Sequence, residues 1–98
     1  MKYLHKFSAT WCQPCRMLSN NLKPILTDLE ASGVTVVEYD VDLMERPELA
    51  RLGVRSVPTL ILMDESGVEL SRQTGALTAD DIRKWLGLDC DAIPSESA

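Results

Sequence analysis

Leu18, Leu22, Ile25, Leu26 and Leu29 put an apolar stripe along one side of a helix predicted over about Gln13–Ala31. Pro24 falls inside that stretch, removes one helical hydrogen bond and predicts a kink, and Gly33 after Ser32 suits a left-handed cap. Before the helix, Lys2 to Ser8 reads as a strand in which Tyr3, His5 and Phe7 alternate with Leu4, Lys6 and Ser8. After it, Val34, Val36, Val37, Tyr39 and Val41 form the nearly continuous β-favouring run of a buried parallel strand over Val34–Val41. A strand–helix–strand order with a right-handed crossover makes these two strands parallel. Pro47 opens a short helix that packs Leu49, Ala50 and Leu52 inward and closes at Gly53, with Glu45, Arg46, Glu48 and Arg51 on its solvated face and Met44 filling a gap. A third strand follows over Thr59–Met63, and Asp64-Glu65-Ser66-Gly67 turns the chain into an antiparallel return over Val68–Thr74. Thr78 starts the last helix, with Asp81 placed for a capping box, Leu77 for a staple onto Ile82, and Ile82, Trp85 and Leu86 facing the sheet. Residues 89–98 have little to bury and predict a loose tail, which leaves 1–88 as the folded unit.

Composition narrows the functions this pattern can serve. A chain of 98 residues makes one domain with a core that is sufficient but not generous. A formal net charge of −5 argues against nucleic acid as a primary partner. No apolar run approaches membrane-spanning length, and no apolar segment follows Lys2 and Lys6 to make a secretory signal. Three cysteines, an odd count, do not suggest a disulfide framework, so a reducing, cytoplasmic setting is expected.

The chemistry concentrates in Trp11-Cys12-Gln13-Pro14-Cys15, where a strand hands over to a helix. Two cysteines with two residues between them can close a small disulfide across the first helical turn, where Pro14 costs little. Unsatisfied N–H groups and the positive end of the helix dipole favour the thiolate of the first cysteine, the species that attacks disulfides. A zinc site would want two further ligands, and only Cys90 and His5 are on offer, neither arranged as a second pair. A structural bridge closing so short a loop would remove little chain entropy. Redox chemistry is therefore the stronger reading. Cys90 in the tail reads as a free surface thiol, with a resolving or chain-linking role as the alternative. His5 reads as a solvated strand residue rather than a proton donor, and Arg55 as solvated rather than steering acidic substrates.

Trp-Cys-Xaa-Pro-Cys after a strand, then Val57-Pro58-Thr59, then Gly75-Ala76, resembles the thioredoxin family over about Tyr3 to Leu88. Gln13 stands where the family usually has Gly. The resemblance implies an α/β three-layer sandwich around a central four-stranded mixed sheet, without the family's usual N-terminal strand and helix. It implies a cis Val57–Pro58 bond that brings the Val57 backbone beside the cysteines to pair with an extended substrate, close substrate approach at Gly75, and Trp11 packed beside the cysteines to limit water access. Cys12 would attack a substrate disulfide and Cys15 would resolve the mixed disulfide. The family places a buried Asp six positions before the first cysteine and a Lys on the neighbouring strand. Here those positions hold Lys6 and Glu38, so an inverted ion pair is expected beneath the disulfide, with Glu38 as proton acceptor for Cys15. The implied partners are disulfide-containing proteins and an NADPH-dependent flavoenzyme reductase, with no bound cofactor, no metal and a monomeric state. Two other readings compete: a glutathione-reduced glutaredoxin, and a non-catalytic accessory subunit that binds a partner through the Trp11–Cys15 surface.

Overall fold

The computed structural model describes residues 1–88, so the tail and Cys90 lie outside the described residues. The elements run β1 (Lys2–Ser8), α1 (Gln13–Leu22), α2 (Leu26–Ala31), β2 (Val34–Asp40), α3 (Arg46–Leu52), β3 (Thr59–Asp64), β4 (Glu69–Thr74) and α4 (Ala79–Leu86). The four strands form one mixed sheet in the order β2-β1-β3-β4. β1 runs parallel to β2 and antiparallel to β3, and β4 returns antiparallel to β3.

Helices cover one face of the sheet. Leu4 of β1, Leu60 and Leu62 of β3, Leu18 and Leu22 of α1, Leu29 of α2 and Ile82 of α4 bury into a single cluster there. On the opposite face Phe7 and Ile61 are buried, and His5, Phe7 and Tyr39 stack nearly parallel, with Tyr39 5.3 Å from His5 and 4.9 Å from Phe7 between ring centres. Arg72 of β4, opposite Ile61, donates to the Leu52 and Gly53 carbonyls at 2.7 and 3.2 Å and so ties the C-terminus of α3 to that face. His5 is therefore half-buried in an aromatic stack, not solvated as expected, and burial pushes its pKa down from 6.5.

Several predicted boundaries move, each for a local reason. The long first helix is broken rather than kinked: Lys23–Ile25 forms a 3-10 turn around Pro24 between α1 and α2. The break rotates the stripe, so Ile25 is fully buried while Leu26 is 37% exposed. β2 is not a buried strand; it is the sheet edge, and only Val34 in it is fully buried. Val41 leaves the strand because the Asp40 carboxylate accepts the Asp42 N–H at 3.0 Å and starts a 3-10 turn over Val41–Leu43. Val68 stays in the turn, where its N–H donates to the Asp64 carboxylate at 3.0 Å. In α3, Leu49 and Leu52 are half-buried but Ala50 is exposed. The expected capping box of α4 is present: Thr78 Oγ accepts the Asp81 N–H and the Asp81 carboxylate accepts the Thr78 N–H. Trp85 is half-buried and donates its indole N–H to Ser71 Oγ at 2.7 Å.

Candidate active site

The site begins where β1 ends. The chain leaves the sheet at Ser8, and the Cys12 N–H donates back to the Ala9 carbonyl at 3.2 Å, closing a tight turn into α1. Cys12 is the N-cap of that helix. Its sulfur accepts the Cys15 N–H at 3.1 Å, so one of the helix's orphan donors points at the atom that would carry negative charge after reduction. Pro14 occupies the first turn without forfeiting a needed donor. Cys12 and Cys15 are joined as a disulfide with their Cα atoms 5.2 Å apart, and both are almost fully buried.

Distant segments complete the surroundings of the Trp11–Cys15 turn. The Val57–Pro58 bond is cis, as expected, and the Val57 carbonyl lies 3.8 Å from Cys12 Sγ. The Gly75 N–H donates to the Pro58 carbonyl at 3.0 Å, which ties the start of the β4–α4 loop to the proline. Gly75 has φ +93°, and the space where a Cβ would project is empty to 4 Å, so a substrate backbone can approach there. Trp11 precedes the pair. It is 68% exposed, and its indole N–H donates to the Asp42 carboxylate at 2.9 Å. It walls a groove of about 380 Å³ shared with Val41, Leu49, Val54, Arg55 and Val57.

On the other side, Lys6 and Glu38 are register partners on β1 and β2 and form the expected ion pair. The pair is asymmetric: the Lys6 side chain is 4% exposed and that of Glu38 63% exposed. Lys6 Nζ also donates to Ser19 Oγ at 2.6 Å. Ser19, Glu38 and Cys15 line one cleft of about 690 Å³, together with Arg16 and Asp40. No hydrogen bond joins Glu38 to Cys15 among the described residues; they face the same space. His5 is on the aromatic face and takes no part in this arrangement. No group of three or more His, Cys, Asp or Glu among the described residues could hold a metal ion.

Two site residues were missed by sequence reasoning. Ser19 follows Cys15 by four positions on α1, a spacing that was available as a signal. Asp42 had none, because its contact with Trp11 joins two loops 31 positions apart.

Comparison with known proteins came out uniform. The family model for thioredoxin matches residues 1–87. Thioredoxin from Chlamydia muridarum is 38% identical over 80 residues, covering 82% of this chain and 74% of its own length. Thioredoxin from Mycobacterium bovis is 45% identical over 71 residues, covering 71% of this chain and 58% of its own. Among solved structures, the germline-specific thioredoxin Deadhead of Drosophila melanogaster superposes with a TM-score of 0.75 at 27% identity, over 88% of this chain and 78% of that one.

Proposed function

Because the chain belongs to the thioredoxin family, a dithiol–disulfide oxidoreductase acting on protein disulfides, we propose that Cys12 is its nucleophile and Cys15 its resolving thiol. The observation that carries the assignment is the Cys15 N–H directed at Cys12 Sγ from the first turn of α1. It favours negative charge on the sulfur that also faces the Val57 carbonyl, next to the Pro58 that Gly75 holds.

The Cys12 thiolate attacks one sulfur of a substrate disulfide; a mixed disulfide forms, and the other substrate sulfur leaves as a thiolate and takes up a proton. Cys15 gives its proton to Glu38 across the shared cleft and attacks Cys12 Sγ. The second substrate sulfur leaves as a thiolate and takes up the second proton, Glu38 gives up the one it accepted, the substrate has gained two electrons and two protons, and the Cys12–Cys15 disulfide has formed. The Val57 backbone and the open space over Gly75 hold the substrate extended, and the apolar wall of Trp11, Val41 and Val54 takes a neighbouring side chain. A reductase carrying NADPH electrons through a flavin restores the dithiol, in the reducing cytoplasm.

Insulin disulfide reduction tests this with two electron sources in parallel: NADPH with thioredoxin reductase, and glutathione with glutathione reductase. Turnover with the first is expected. Cys12→Ser should abolish it, and Cys15→Ser should stop after one step and accumulate the mixed disulfide. Turnover with glutathione alone would move the chain to glutaredoxin chemistry. Activity with neither would sink the reductase reading in favour of a binding subunit.

A further inference from the structure

Lys6 is the one charged side chain in the buried interior of the described residues, and the established chemistry gives it no task. Its ammonium is fixed from two sides, by the Glu38 carboxylate on the neighbouring strand and by Ser19 Oγ on α1. Ser19 lies one helical turn beyond Cys15 on the same helix face, so the cation sits one turn beneath the second sulfur. The other charged groups lining the cleft or the adjoining hollow are Arg16, Lys23, Glu30, Glu38 and Asp40. Arg16, Lys23, Glu30 and Glu38 are exposed, and Asp40 is half-buried with its carboxylate accepting the Asp42 N–H.

Charge in water is screened, and charge in the interior is not. The carboxylate that neutralises Lys6 on paper lies mostly in water, whereas the ammonium lies out of it. The two therefore do not cancel at the sulfurs, and of the pair the ammonium weighs more there. We infer that Lys6 is a positioning residue for the redox couple: through its bond to Ser19 beneath Cys15 it stabilises the reduced, thiolate-bearing state and makes the Cys12–Cys15 couple more oxidising than the same fold without it. The inference rests on the dithiol reading above. In exchange with glutathione, the disulfide and two glutathione thiols give the dithiol and one glutathione disulfide. Where a sulfur remains a thiolate its proton goes to the buffer, and that is the form a nearby cation favours.

The test equilibrates the full chain with reduced and oxidised glutathione at neutral pH, traps the thiols by alkylation and reads the Cys12–Cys15 peptide by mass spectrometry. Lys6→Met keeps an apolar stem of similar length and strands no buried charge, since Glu38 already faces water. It should shift the equilibrium about tenfold toward the disulfide, or about 30 mV more reducing. Glu38→Gln removes a mostly screened charge and should shift it more weakly, about twofold, toward the dithiol. Opposite signs are the signature, because a merely structural disturbance has no reason to divide the two variants by charge. A shift of Lys6→Met toward the dithiol, or less than about twofold in both variants, overturns the inference. Should Lys6→Met fail to fold, the sign of Glu38→Gln alone decides. A wild-type chain with no two-electron couple would overturn the dithiol reading and this inference together, whereas a normal wild-type couple with unmoved variants would overturn the inference alone.

Discussion

At the scale of single residues, the two sides of the sheet treat ionisable groups in opposite ways. On the helix-covered side the Lys6 side chain is met by the Glu38 carboxylate and Ser19 Oγ. On the other side His5 has aromatic neighbours, Tyr39 and Phe7, and burial lowers its pKa below 6.5. The consequence for stability has a definite sign. The unfolded chain takes up the His5 proton near pH 6.5, and the folded chain only at lower pH, so the unfolded state binds more protons in between. The stability is fully present above 6.5 and is lost as pH falls from there through the folded-state pKa. Replacing His5 with Phe should leave the stack and remove the titration. Urea midpoints of the wild type and His5→Phe measured between pH 7.5 and 5 should diverge below about 6.5, with the wild type losing more. Parallel curves across that interval would show that His5 does not titrate differently in the folded chain. The Lys6–Glu38 pair was legible in the sequence because the family resemblance puts both positions on adjacent strands, where this chain has Lys and Glu. The half-exposed state of the pair was not, because exposure depends on β2 being the sheet edge, which no residue in Val34–Asp40 announces. The same gap explains why His5 looked solvated when it is stacked.

At the scale of elements, termini were more legible than interiors. Side-chain caps are local chemistry, so Thr78 and Asp81 marked the start of α4 from sequence alone. Pro24 was legible as a disturbance, but whether a helix bends or breaks there depends on the packing of both flanks. Here a 3-10 turn over Lys23–Ile25 lets Leu22 and Leu29 both reach the core on either side of the break. The α4 cap has a measurable weight. Thr78→Ala removes the acceptor of the Asp81 N–H and should cost about 1 kcal/mol of unfolding free energy, seen as a lower urea midpoint with an unchanged slope. Insulin turnover should be unchanged, because α4 contributes no residue to the surroundings of Cys12. A loss of activity comparable with the loss of stability would instead tie the Gly75 loop, two residues before the Leu77 carbonyl that Asn21 holds at 3.0 Å, to the cap.

For the whole molecule, redox state and folding are two sides of one cycle. Reducing the folded chain and then unfolding it must cost the same free energy as unfolding the oxidised chain and then reducing it. The difference in stability between reduced and oxidised forms is therefore set by the difference in reduction potential between the folded and unfolded cysteines. In the unfolded chain Lys6 is solvated and screened from Cys15, so a change there leaves the unfolded couple where it was. If Lys6 lifts the folded couple, it must by the same amount favour the reduced fold over the oxidised one. Lys6→Met should thus remove about 1.4 kcal/mol from the stability of the reduced form relative to the oxidised form for a tenfold shift in the glutathione equilibrium. Glu38→Gln should add to it. Urea unfolding of each variant with and without reductant gives the two stabilities independently of any glutathione measurement. The buried ammonium, the exposed carboxylate and the cleft that joins them to Cys15 then make a claim on the fold as well as on the couple. Because the cycle must close, a potential that moves while the stability difference stays fixed would mean that the unfolded couple moved equally, and Lys6 would then act through the unfolded chain as well.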